Sequence, residues 1–374
     1  MQVAERSGWL SWLRWGRKGA TPVLGVDIAP DGVRIVEVQA SARGHRISHH
    51  AELPLANGAW QSALDGDPQA LADALKRALK ASGTRLRTAA LALPASAVIT
   101  RTLCLPQPAH DEELEMLVEA EAAQSLPFPR DEISLDFETL GTSANDEGMV
   151  DVLLVAARSE SIAQRVAWAE AAGLKPAVVS IESQAVVKAI DGLCGNASHA
   201  ESIVYFSAAG SHCLFVRGER LLFERELGKP LPPAAGHGDG AHAGELDSWL
   251  DAASLEWQRH RQLFAAAAGD GEIDRLHLAG AGALGPQLAA GLRQRLGIDV
   301  HVPDPFHYWP CLQRPARDPG NPGRGGEQGH EQVDGRAHER ARHQTHHPDH
   351  HQPNDGGGAS CLLACGLALH GLRA

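Results

Sequence analysis

Apolar positions along this chain fall into two rhythms, a period of two and a period near 3.6, and the switches between them mark its elements. Residues 24–38 read LGVDI, APDG, VRIVEV, which predicts two strands around a tight turn. Over residues 68–81 the spacing of Leu71, Leu75, Ala78 and Leu79 predicts a helix, and residues 86–93 form a strand ended by Pro94. A short alternating strand at 101–105 is cut off by Pro106. The acidic run 111–125 predicts a helix opened by Asp111 and stopped by Pro127 and Pro129. A buried apolar strand at 151–157 leads to a helix at 159–172 closed by Gly173. Strand, turn and hairpin then recur at 203–206 and 213–226. A Leu- and Trp-bearing helix at 245–268, a strand at 275–278 running into AGAGAL, and a helix at 286–296 follow.

The pattern then stops. Residues 313–358 hold one Val and no Leu, Ile, Phe or Trp, with seven of the chain's 20 His among Arg, Pro, Gly and Gln. Such a stretch buries too little apolar area to offset the entropy of ordering it, so the expectation is disorder. The pairs His346–His347 and His350–His351 suit a transition metal by residue type only, since no scaffold or carboxylate set accompanies them. A compensated frameshift in a GC-rich gene would leave the same mixture. Apolar sense returns at Ala359 with ASCLLACGLAL.

With 374 residues the chain is long enough for two core-bearing lobes. Its 34 basic and 46 acidic residues leave a net charge of −12, which argues against nucleic acid as a partner. Six Cys without close spacing, apart from Cys361 and Cys365 in an apolar run, read as reduced thiols used for packing. No stretch reaches the roughly 18 apolar residues of a membrane span, and no signal peptide is recognisable, so a cytoplasmic location is expected. Residues 1–20 read as a flexible leader in which Trp9, Trp12 and Trp15 stand three apart beside Arg14, Arg17 and Lys18. On a short helix this stripe suits the headgroup zone of a bilayer; the alternative is an unstructured leader or a segment packed on the first domain.

The longest specific wording is EAEAAQSLPFPRDEISLDFETLG, with Glu121, Gln124, Pro127, Phe128, Pro129, Leu135, Asp136 and Phe137, followed by DVLLVAARSESI and AGLKPAVVSIESQAVV. In this order the segment resembles the PilM family of type IV pilus assembly proteins, which are actin-like and related to FtsA. The likeness runs from about Leu24 to about Phe306 and resumes at the C-terminus. It implies a two-lobed actin-like α/β fold of the FtsA-like ATPase type: a first lobe over 21–200 with an inserted subdomain at about 94–175, a second lobe over 201–312, and a closing helix in 359–374. The recurring hairpins agree with a duplicated architecture.

Actin-like proteins hold ATP and Mg²⁺ between two hairpin turns, where small residues let backbone N–H groups reach the phosphates. The resemblance places Asp27, Asp31, Glu182, Gly280 and Gly282 at this cleft. Asp27 matches a family acid, and Gly280-Ala281-Gly282 stands in for a glycine run on the adenosine side. Elsewhere the chain departs from the pattern. Ala29, Pro30 and Asp31 replace a Gly-Ser-Ser turn, so that Pro30 loses a donor and Asp31 brings charge toward a phosphate. Tyr205 and Ser207 stand where the family has Asp and Gly, and no Gly-Gly follows Glu226. The expectation is a degenerate ATPase site with no catalytic residue. No GxSxG, Walker or HExxH motif is present, and His110 and His277 read as surface or edge residues.

The resemblance further implies a cytoplasmic adaptor, peripheral to the inner membrane, that captures the N-terminal peptide of a PilN-type bitopic protein in a groove beside the inserted subdomain. Pilus motor ATPases and the platform protein would be further partners. An active ATP-hydrolysing assembly protein is the alternative, and a GspL-like component of type II secretion is another, for which a membrane span would be expected to follow.

Overall fold

The computed structural model describes residues 22–41, 44–107, 110–143, 148–195, 199–208, 210–228, 240–268, 272–311 and 360–372. The leader with Trp9, Trp12 and Trp15 and the His-rich stretch 313–358 lie outside the described residues.

The first hairpin forms as expected, with β1 (Leu24–Ala29) and β2 (Gly32–Ser41), and it continues into β3 (Gly44–Pro54). β3 is faint in the sequence because three His interrupt its few apolar side chains. Then come α1 (Ala59–Leu64), α2 (Gln69–Ser82) and β4 (Thr88–Leu93). α2 buries Leu71, Leu75, Ala78 and Leu79 on one face and ends at Gly83, whose φ of 69° an L side chain rarely adopts. Next are β5 (Val98–Pro106), α3 (Asp111–Ser125), β6 (Ile133–Thr142) and β7 (Met149–Arg158). α3 stops where Leu126, the residue before Pro127, turns extended at φ −96° and ψ 142°. Pro106 is tolerated because β5 is an edge strand.

The chain goes on through α4 (Ser159–Ala171), β8 (Lys175–Ile181) and α5 (Glu182–Cys194). The second half supplies β9 (Glu201–Ser207), β10 (Gly210–Arg217), β11 (Arg220–Glu226), α6 (Gly240–Ala268) and β12 (Arg275–Ala279). It closes with α7 (Gly285–Leu296), β13 (Asp299–His301), α8 (Pro305–Tyr308) and α9 (Leu362–Leu369).

These strands make two five-stranded sheets built alike. The first runs β3-β2-β1-β4-β8 and the second β11-β10-β9-β12-β13. In each, the hairpin strands pair antiparallel and the last three strands pair parallel. The chain leaves the first sheet after β4, builds the antiparallel sheet β5-β7-β6 covered by α3, and returns at β8. α4 packs with the first sheet: its Ile162 and Trp168 join the core formed by β1, β2, β4 and α2.

A further core fills the space between the two sheets and centres on α5 and α9. Every residue of α9 is buried, which explains an apolar octet too short to span a membrane. Its approach is close enough to require glycine on both sides. A Cβ on Gly25 would lie 1.8 Å from the Ala364 carbonyl oxygen, and one on Gly366 would lie 1.8 Å from that of Ala185. All six Cys are free thiols, and Cys361 and Cys365 are buried in this core.

His277 corrects the expectation of an edge residue. It is 1% exposed on β12, with Nε2 3.3 Å from Glu201 Oε2, because β12 is flanked by β9 and β13. His110 is exposed, as expected.

Candidate functional site

The two sheets present equivalent hairpin turns to one another: residues 29–32 between β1 and β2, and residues 207–210 between β9 and β10. Between them lies a cleft of about 480 Å³. Asp27, Asp31, Glu182, Gly280 and Gly282, five residues scattered over most of the chain, all line it. The sheets bring them together because the ends of β1, β9 and β12 and the start of α5 converge at one mouth.

Around the first turn, Arg34 sits opposite Asp27 in the β1–β2 register and opposite Glu52 in the β2–β3 register. Its Nε donates to Glu52 Oε1 at 2.9 Å and its Nη1 to Asp27 Oδ2 at 3.4 Å. Nη1 and Nη2 also donate to the two Asp31 oxygens at 3.2 and 2.5 Å. All three guanidinium nitrogens are thereby engaged by carboxylates. Asp31, expected to bring negative charge toward a phosphate, is paired with Arg34. Although partial burial alone would raise Asp31, the Arg34 hydrogen bonds and charge hold it below the ordinary carboxylate range. Arg34 could have been read from the sequence, since a two-residue turn at Pro30 and Asp31 puts residue 34 across from residue 27.

Deeper in, Asp27 is buried and Glu182 is half-buried. Burial raises Asp27 to about 6 against the opposing charge of Arg34. Burial, and then the neighbouring Asp27, raises Glu182 to about 7. Tyr205 Oη donates to Glu182 Oε2 at 3.3 Å, and burial pushes that phenol well above its ordinary range, so it remains a donor. Arg165 on α4 balances this acidic floor. It donates to the Ile28 carbonyl at 3.1 Å and lies 4.7 Å from the Trp168 ring, and burial lowers its pKa. No sequence signal singles out Arg165, which belongs to an ordinary helix.

The second turn carries no charge. Ser207 Oγ donates to the Gly210 carbonyl at 3.1 Å, with Ala208 beside it. Gly280 has φ +77°, and a Cβ there would lie 2.1 Å from the Phe206 carbonyl oxygen, so β9 itself demands this glycine whatever occupies the cleft. Among the described residues no group of three His, Cys, Asp or Glu is arranged to hold a metal ion.

A second depression of about 260 Å³ lies at one end of the three-stranded sheet, next to the start of α4. Val98 and Ile99 of edge strand β5, Leu126 and Phe128 after α3, and Arg158 at the end of β7 line it, with the Arg158 guanidinium 4.3 Å over the Phe128 ring.

A family model described as type IV pilus assembly protein PilM matches residues 25–228. The PilM-PilN type IV pilus biogenesis complex is similar at 22% identity and a TM-score of 0.66, over 95% of this chain and 100% of that one. The cytoplasmic domain of EpsL, an inner-membrane component of the type II secretion system of Vibrio cholerae, is 14% identical with a TM-score of 0.38, over 69% of this chain and 82% of its own. A Bacteroides thetaiotaomicron protein of actin-like ATPase fold and unknown function is 11% identical with a TM-score of 0.37, over 76% and 91%. The duplicated sheets and the first of these likenesses make the fold actin-like.

Proposed function

The chain belongs to the PilM family of type IV pilus assembly proteins, and on that premise we propose that it is an adaptor of the pilus inner-membrane platform. It captures the cytoplasmic N-terminal peptide of a PilN-type membrane protein and links that complex to the motor ATPases and the platform protein. The protein acts in the cytoplasm, peripheral to the inner membrane; among the described residues no helix is long and apolar enough to cross one. The observation that carries the reading is the depression beside β5. It has an apolar floor of Ile99, Leu126 and Phe128 and includes Val98 and Ile99 of β5, which is an edge strand among the described residues. An extended peptide gains backbone hydrogen bonds from such an edge and specificity from alternate side-chain pockets. A PilN-type N-terminal peptide is expected to bind with micromolar affinity, roughly −8 kcal/mol, measured by calorimetry. Ile99→Asp combined with Phe128→Ala should abolish it while leaving the thermal midpoint of the remaining fold in place. A double variant that binds as well as the parent sinks this placement of the peptide.

The cleft supports a degenerate nucleotide site. Pro30 offers no N–H, four of the five Arg34 N–H groups are held by Glu52, Asp27 and Asp31, and Tyr205 occupies the place of the second acid. Glu182, raised to about 7, is partly protonated near neutral pH and a weaker ligand for a cation there. ATP with Mg²⁺ is therefore expected to show no turnover above background. The active-ATPase alternative keeps one observation in its favour, the convergence of all five candidate residues on a single cleft. Phosphate release that disappears in Asp27→Ala would establish that alternative.

A further inference from the structure

Arg34 and Arg165 are the cations that line the cleft among the described residues, and Arg34 presents a planar fork of N–H groups to Asp31 at the turn. Two edges of that fork are fixed from below, by Glu52 at Nε and Asp27 at Nη1. The outer edge, Nη1 with Nη2, is taken by both oxygens of Asp31. A guanidinium binds carboxylate and phosphate in the same bidentate manner, so the carboxylate at this edge sits where a phosphate would.

The exposures of the two partners are very different. The Arg34 side chain is 10% exposed and the Asp31 side chain 67%. Arg34 is thus a built, oriented element of the cleft, whereas Asp31 is a tip residue of a two-residue turn that reaches in from solvent.

We propose that Arg34 is the core of a latent anion subsite in the cleft and that Asp31 fills it from within the chain, closing the cleft to phosphates. The inference rests on reading the cleft as a degenerate nucleotide site and names one residue responsible for its closure. The ligand class is pyrophosphate and polyphosphate groups, which the fork recognises whether they are free or part of a nucleotide. Asp31 acts twice, by occupying the donors and by repelling an incoming anion. A carboxylate within about 5 Å of a phosphate, at the dielectric of a protein surface, accounts for roughly a tenfold loss of affinity or more.

The test is calorimetric titration of the full chain with inorganic pyrophosphate at neutral pH and low salt. Asp31→Ser should bind at least tenfold more tightly than the parent, and the gain should shrink as salt is added. Adding Arg34→Gln to Asp31→Ser should remove the gain. Asp31→Asn, which keeps the turn-forming side chain and loses only the charge, repeats the measurement should the Ser variant fold poorly. Equal affinity in parent and Asp31 variants, or a gain that survives Arg34→Gln, overturns the proposal. Neither of those results touches the peptide-binding or no-turnover readings. ATP turnover by Asp31→Ser would support closure by Asp31 and at the same time sink the view that the cleft chemistry is lost. Titration with Mg-ATP alongside pyrophosphate separates a nucleotide site from a simple polyphosphate site, since only the former tightens further with the base attached.

Discussion

In the first sheet, Asp27 on β1 faces Arg34 on β2, and Arg34 faces Glu52 on β3. At the matching places of the second sheet, Tyr205 on β9 faces His212 on β10, and His212 lies 3.4 Å from Glu224 on β11. The permanent cation of one hairpin is replaced in the other by an imidazole that burial holds below its ordinary pKa and therefore neutral near pH 7. Strand order and pairing are the same in both halves, while the chemistry at the turns is not. The scaffold rests on the apolar faces between and outside the sheets, which are indifferent to turn residues. Turn chemistry was therefore free to change without loss of the fold.

If that is right, a contact in the shared core should outweigh any residue of the turns. Gly25→Ala forces a methyl against the α9 backbone and is expected to cost about 3 kcal/mol or more, or to prevent folding. Gly282→Ala, with φ +53° and open space around it, should cost only about 1 kcal/mol. Urea unfolding of the two variants measures the contrast, and equal losses would break the comparison.

Glu182 joins the halves, since the first turn of α5 carries it and Tyr205 of the second sheet donates to it. Its folded pKa of about 7 lies above its ordinary 4.5, so the folded chain holds an extra proton between those values. Stability should accordingly fall as pH rises from about 4.5 to about 7 and stay low above that. Glu182→Gln removes this penalty, so the variant should gain roughly 1–3 kcal/mol at pH 8 and almost nothing at pH 4. Thermal midpoints of parent and variant across pH 4–8 decide the matter, and a difference independent of pH would show that the charge is not what strains the joint.

The smallest effect is expected outside both halves. Removing residues 313–358, which have a single Val as their apolar content apart from Ala and Pro, should leave the thermal midpoint almost unchanged. A large drop would mean that this stretch covers part of the core.

Much of this architecture could be read directly. The helices at 69–82, 111–125 and 159–171 and the hairpins opening each half follow from local periodicity and from Gly and Pro punctuation, because those signals act over a few residues. β3, β6 and β8 were harder, since His, acidic and Pro residues blur their alternation and only neighbouring strands supply the missing hydrogen bonds. The wording around Pro127, Phe128 and Pro129 indicated the family, and family likeness named five cleft residues that the structure does bring to one cavity.

What tertiary structure alone decided is the state of those residues. Nothing in the order of the chain says that Asp31 is bound to Arg34, that Arg165 reaches the Ile28 carbonyl across 137 positions, or that Glu182 is desolvated beside Tyr205. His277 read as an edge residue and is buried against Glu201 for the same reason. Element type is a local property of side-chain spacing and backbone preference. The charge and reach of a site are set by which distant groups meet and how much water is excluded, and these depend on register and packing that no local pattern encodes.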